Sequence, residues 1–146
     1  MLGAWLEDEQ GTRIYNVAEG DPIRSVVEVE VREEIEDPMF VGALATYIKS
    51  EVIYVADFRY VPMVDGREVD RLIPGQKVTF VSQFDHRLKP ERYNFSFRLV
   101  RHHNFDNIAM RMVGAIDFMV YGTSSGPGIL DFEMEHETSI QPPEQS

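Results

Sequence analysis

The sequence predicts an all-β protein, an antiparallel sandwich or barrel, and three observations carry that prediction. Apolar and polar residues alternate with a period of two in segment after segment. Turn-forming dipeptides interrupt those segments at intervals of roughly 8–12 residues. No stretch sustains the period of 3.6 that an amphipathic helix needs.

In chain order, Leu2–Glu7 and Thr12–Val17 read as a hairpin around Asp8-Glu9-Gln10-Gly11. Asp21–Arg32 is a half-buried strand, with Ile23, Val27, Val29 and Val31 on one parity and Arg24, Glu28, Glu30 and Arg32 on the other. Met39–Ile48 and Val52–Phe58 are apolar on both parities, which fits central or doubly covered strands joined by a turn at Lys49-Ser50-Glu51. Gln76–Phe84 alternates, and Arg92–Val100 alternates most cleanly, with Tyr93, Phe95, Phe97 and Leu99 against Arg92, Asn94, Ser96 and Arg98. Phe105–Met112 is the one helical candidate, a turn or two long. Ala115–Tyr121 places Ile116, Phe118 and Val120 inward and Asp117, Met119 and Tyr121 outward. Ile129–His136 sets Leu130, Phe132, Met134 and His136 opposite Ile129, Asp131, Glu133 and Glu135. Residues 1–137 thus form one domain, and the polar, proline-containing 138–146 reads as a frayed tail. Glu19-Gly20-Asp21-Pro22, Glu36-Asp37-Pro38, Asp65-Gly66, Pro74-Gly75 and Gly126-Pro127-Gly128 supply the turns.

Composition bounds the function. With 146 residues, 43% of them hydrophobic, the chain can bury one core. Its 14 basic and 25 acidic residues leave a net charge of −11, the wrong field for nucleic acid or anionic membranes. No apolar run reaches the roughly 18–20 residues of a membrane helix, and the N-terminus lacks a basic-then-apolar signal. The absence of cysteine removes disulfides and thiolate metal sites.

Motifs for chemistry are missing. There is no phosphate loop, HExxH, calcium-loop pattern or GxGxxG. Gly122-Thr123-Ser124-Ser125-Gly126 matches GxSxG, and Asp131 and His136 follow in hydrolase order. A nucleophile elbow, however, needs a helix directly after the serine, and here Pro127-Gly128 and a strand follow. His102 and His103 are adjacent, so an extended chain points them apart and they make poor joint metal ligands. Glu133, Glu135 and Glu137 could bind a cation, but a charged row on an edge strand more commonly prevents aggregation. Asn94-Phe95-Ser96 is a mid-strand sequon. The expectation is a protein without catalytic residues, metal or cofactor.

Three segments carry a family resemblance: VAEGDPIRSVVEVEVREEIEDPMFVGALA (17–45), LIPGQKVTFVSQFDHRLKPERYNFSFRLV (72–100) and AIDFMVYGTSSGPGILDFEMEHE (115–137). With Gly20, Asp37-Pro38, Pro74-Gly75, Tyr93, Phe118 and Gly128 as fixed points, the chain resembles the C-terminal domain of Wzt-type ATPase subunits. Those subunits serve ABC exporters of O-antigen and related polysaccharides. Lys89-Pro90-Glu91 departs from the glycine usual before the tyrosine, and no tryptophan follows His136. The resemblance implies an immunoglobulin-like antiparallel β-sandwich of about eight strands. It also implies a non-catalytic domain that binds the exported glycan, located in the cytoplasm and peripheral to the inner membrane through an ATPase domain and a permease. A homodimer made by exchange of the last strand is implied as well. The Gly/Ser-rich Gly122–Gly128 could let Ile129–His136 reach a second copy and bury Leu130, Phe132 and Met134 there.

Sugars need planar hydrogen-bonding groups for hydroxyls and flat apolar surfaces for C–H faces. Asn94, Ser96 and Arg98, with Asp117, Met119, Tyr121 and Tyr47, are expected to form such a platform on one sheet. Asp57, Arg59 and Tyr60 form a second patch near Arg67 and Arg71 that could bind glycan or dock on an ATPase domain. The acidic balance favours a neutral glycan unless Arg59 or Arg98 offsets it locally. The competing reading is a structural or adaptor sandwich that mediates protein contacts without glycan.

Overall fold

A computed structural model describes residues 1–48, 50–85, 88–122 and 133–143. Among these there is no helix, and the order of strands is β1 (Gly3–Glu7), β2 (Arg13–Ile14), β3 (Asn16–Ala18), β4 (Ile23–Glu30), β5 (Ile35–Glu36), β6 (Met39–Ile48), β7 (Glu51–Tyr60), β8 (Met63–Val64), β9 (Arg67–Glu68), β10 (Arg71–Leu72), β11 (Lys77–Asp85), β12 (Glu91–Val100), β13 (Ile108–Tyr121) and β14 (Glu133–Gln141). One five-stranded sheet runs β14-β11-β4-β1-β2 and the other β3-β13-β12-β6-β7. β1, β4 and β11 take the places of immunoglobulin strands A, B and E, and β6, β12 and β13 those of C, F and G. β7 lies beside β6 as C′ does. The predicted sandwich is therefore the observed one, and its order is immunoglobulin-like.

The N-terminal hairpin forms, with Leu6 opposite Ile14 and Glu7 opposite Arg13. Within it Asp8 caps the turn, its Oδ1 accepting from the Gln10 and Thr12 amides at 3.0 and 2.8 Å. The chain then leaves this sheet at Tyr15, and β3 joins the other sheet parallel to β13. Asp65 and Gly66 both have positive φ, as a two-residue turn between β8 and β9 requires.

Between the sheets lies an aromatic core. Phe40 of β6 stacks on Phe80 of β11 with ring centroids 4.3 Å apart. Phe84 and Phe95 stack at 5.6 Å, and Phe95 and Phe118 at 5.4 Å. The inward parities foreseen for Asp21–Arg32, Gln76–Phe84, Arg92–Val100 and Ala115–Tyr121 are the buried ones: Val27, Val29, Val78, Phe80, Phe97, Leu99 and Val120 are closed to solvent. Tyr93 opens β12 with its hydroxyl donating to the Lys89 carbonyl at 2.8 Å, the tyrosine corner of immunoglobulin-type sandwiches. Burial, with the Glu91 charge adding to it, pushes this phenol up to about 12.

Three local expectations are corrected. Phe105–Met112 is not helical: 108–112 opens β13, because Met110 and Met112 alternate inward opposite Leu99 and Phe97. Val52–Phe58 is not doubly covered: β7 is an edge strand, and Val52, Ile53 and Tyr54 are exposed. Residues 138–141, assigned to a tail, continue β14, with Thr138 opposite Phe80 and Ile140 opposite Val78. β14 pairs antiparallel with β11 of the same chain, and Met134, half-buried, packs against the core. Leu130, Phe132 and residues 123–128 of the expected linker lie outside the described residues.

Candidate ligand groove on the second sheet

The outer face of the β3-β13-β12-β6-β7 sheet is organised in rungs across four strands. One rung runs Asp117–Asn94–Ala45–Tyr54, and the next places Ser96 beside Ala43 and Asp57. A third runs Arg111–Arg98–Val41–Arg59. Small residues in the centre, Ala43 and Ser96 above Gly42, lower the floor into a groove of about 710 Å³. Its walls are Tyr54, Phe105 and Val113, and its polar lining is Asp57, Ser96, Arg98 and Arg111. Tyr54 is 75% exposed and Val113 77%, so these walls present bare apolar surface to a ligand.

Two irregularities build the walls. Between Phe95 and Phe97, β12 advances two residues while β13 advances from Ile116 to Met112. Val113, Gly114 and Ala115 thereby bulge opposite Ser96, with Gly114 at φ +59°. The Gly114 amide donates to Ser96 Oγ at 2.9 Å, which fastens the bulge to the floor. In β7 the register slips between Leu44 and Ala45, leaving Val55 as an extra residue. That slip lets Tyr54 and Asp57 both line the groove. The loop between β12 and β13 closes the end: the Arg59 guanidinium lies 4.9 Å from the Phe105 ring centroid.

Of the expected site residues, Asp57, Ser96 and Arg98 line the groove, and Arg59 reaches it through Phe105. Asp57 and Arg59 of the second patch thus share one face with Ser96 and Arg98 of the first. Tyr47, Asn94, Asp117 and Tyr121 lie on the same face beyond the groove. Asn94 is only 6% exposed, and its Nδ2 has no protein partner among the described residues. Tyr121 also borders a smaller hollow of about 340 Å³ with Asp8, Glu9 and Asp21.

Tyr60 is a correction. It points into the core at 7% exposure, its hydroxyl 3.3 Å from Ser82 Oγ and its ring stacked on His136 with centroids 4.0 Å apart. Consecutive residues of a strand face opposite ways, so Arg59 outward forces Tyr60 inward. Burial, against which the Ser82 hydrogen bond works weakly, raises its phenol well above the ordinary range.

Sequence reasoning missed Tyr54, Phe105, Arg111 and Val113. The alternation of Met110 and Met112 with Arg111 and Val113 could have revealed the last two as strand residues facing out.

His102 Nδ1 lies 3.9 Å from Asp37, and both side chains are exposed. No group of three or more His, Cys, Asp or Glu able to hold a metal exists among the described residues. No helix among them is long and apolar enough to cross a membrane.

Fold and face together define an immunoglobulin-type β-sandwich with an open groove on one sheet, walled in part by Tyr54 and Phe105. No protein-family model matches the chain, and no curated protein matches it significantly.

Proposed function

We propose that this protein is a non-catalytic carbohydrate-binding domain that recognises a cell-surface polysaccharide for export by an ABC transporter. The ATPase and permease of that system would be its partners at the cytoplasmic side of the membrane. The observation that carries the reading is the groove itself. Tyr54 and Phe105 offer flat rings for sugar C–H faces, over a floor of small residues, with Asp57, Ser96 and Arg98 placed for hydroxyls. Its openness suits shallow, water-bridged contacts along a chain rather than enclosure of a small molecule.

The test is a glycan-array screen followed by titration of the best ligand against Arg98→Ala, Tyr54→Ala and Tyr121→Ala. Loss of roughly tenfold or more in affinity from the first two supports the groove. Undiminished binding in both rejects it.

An adaptor role is the second reading, favoured by the exposed tip of the β6–β7 hairpin, where Tyr47, Val52, Ile53 and Tyr54 are all bare. A screen with no glycan hit, together with capture of a partner that Val52→Asp abolishes, would favour it. We also propose a homodimer formed by exchange of the last strand. Deleting residues 129–146 should yield monomeric or insoluble material, and a soluble, unchanged dimer refutes the exchange.

A further inference from the structure

The groove carries charge of one sign at one end, against the character of the whole molecule. Arg98 and Arg111 are direct cross-strand partners on β12 and β13, and Arg59 lies in the same rung one strand beyond Val41. Like charges directly opposite each other destabilise a sheet. Such an arrangement is normally relieved by an interleaved carboxylate, and the chain has 25 acidic residues from which to supply one. None does: the ion pairs found among the described residues engage Arg24, Arg71, Arg101 and His102. Arg98, Arg111 and Arg59 take part in none of them. Asp57 is the single carboxylate in the groove lining, and it sits one rung away, opposite Ala43.

Two neighbouring guanidiniums with free N–H forks match a carboxylate or a phosphate in bidentate geometry. The site they border is already a groove with aromatic walls, so an anion held there would be attached to something with apolar faces. From these observations we infer that the arginine end of the groove binds an anionic substituent, a carboxylate or phosphate, carried on the sugar chain. Arg98 and Arg111 grip the anion, Arg59 flanks it while packed on Phe105, and Tyr54 supports the adjoining ring. The inference rests on the reading of this face as a glycan site, and it takes up the exception to a neutral ligand, a local offset by Arg59 and Arg98, to which Arg111 is now added.

The test uses the whole chain and matched ligands that differ only in charge. Oligogalacturonate is paired with its methyl ester, and phosphorylated mannan oligosaccharide with plain mannan, which also separates carboxylate from phosphate. Binding is measured by calorimetry, and the Arg Nε–Hε resonances are followed by NMR. At least one acidic member should bind tenfold or more tighter than its neutral counterpart. That preference should fall toward unity in Arg98→Gln/Arg111→Gln and shrink from about 50 to about 500 mM salt. Equal binding of acidic and neutral members overturns the inference and leaves the glycan reading intact, as does a preference that survives in the double variant. Glucuronate and inorganic phosphate are titrated alone as well. Shifts of the Arg98 and Arg111 resonances without binding of any oligosaccharide keep the anion site and reject the glycan reading. No shift with any anion overturns the anion site.

Discussion

Gly42 makes the most exacting demand on packing in the groove's vicinity, and Gly42→Ala is the variant that probes it. Gly42 lies on the inner side of β6, and a Cβ there would come 2.1 Å from Phe58 Cζ and 2.3 Å from its Cε1. Carbon atoms settle at about 3.5–4.0 Å, so the ring would have to recede by roughly 1.4 Å. It has nowhere easy to go. The Phe84 ring stands edge-on with centroids 4.8 Å away, and Phe95 and Phe97 lie at 6.4 Å each. Overpacking of this kind costs about 1–3 kcal/mol, and in a domain of this size each kcal/mol lowers the melting temperature by roughly 2–4 °C. Urea unfolding at constant m-value measures the loss. The diagnostic is the cycle with Phe58→Leu, which removes the ring that the new methyl strikes. The double variant should be more stable than the sum of the two single losses predicts, with a coupling of at least about 0.5 kcal/mol. A cost for Gly42→Ala below about 0.5 kcal/mol, or strict additivity with Phe58→Leu, would refute the argument.

Tyr60→Phe should cost about 1 kcal/mol, since it removes the bond to buried Ser82 Oγ while keeping the stacked ring. Chemical denaturation reads the loss, and affinity for a glycan found by the array screen should not change; a large affinity loss would return Tyr60 to the proposed binding face. For His136, burial lowers the imidazole below its ordinary 6.5, so the unfolded chain takes up the proton before the folded one does. This contribution to stability is complete above pH 6.5 and is lost as pH falls from there through the folded value. His136→Phe keeps a ring on Tyr60 but cannot titrate, so its stability should fall less steeply than wild type over that window. Identical pH slopes for the two proteins would show that His136 is not responsible.

How much of this was legible in the sequence depended on how each strand is covered. β4, β11 and β12 are legible because one face packs large apolar side chains and the other is mostly polar, so composition and geometry share a period of two. β7 misled because an apolar run reports apolar surface and is silent about what covers it. Val52 and Tyr54 look like core residues in sequence and stand bare at a sheet edge. The first half of β13 misled for another reason: Val113, Gly114 and Ala115 bulge out together and break the alternation on which strand recognition relies. The same kind of slip at Val55 lets Tyr54 and Asp57 share the groove, which no fixed period could have shown. Irregularities in two strands hid the groove, and those irregularities are what shape it.

The charge follows the same division between average and site. A net −11 describes the field far from the surface, where it lowers the encounter rate of an acidic glycan. At physiological ionic strength that field decays over about 8 Å, so the groove's own potential is set by what lies within one or two side chains of it. Among the residues lining it the balance is two arginines, Arg98 and Arg111, against Asp57, or 2 − 1 = +1, with Arg59 flanking them on Phe105. Salt then acts on an anionic ligand in two opposed ways. It relieves long-range repulsion and quickens association, while weakening the contacts in the groove and hastening release. A neutral glycan feels neither effect. The sign of the local charge, carried by three residues in one rung, therefore constrains the ligand more tightly than the sum over the whole chain.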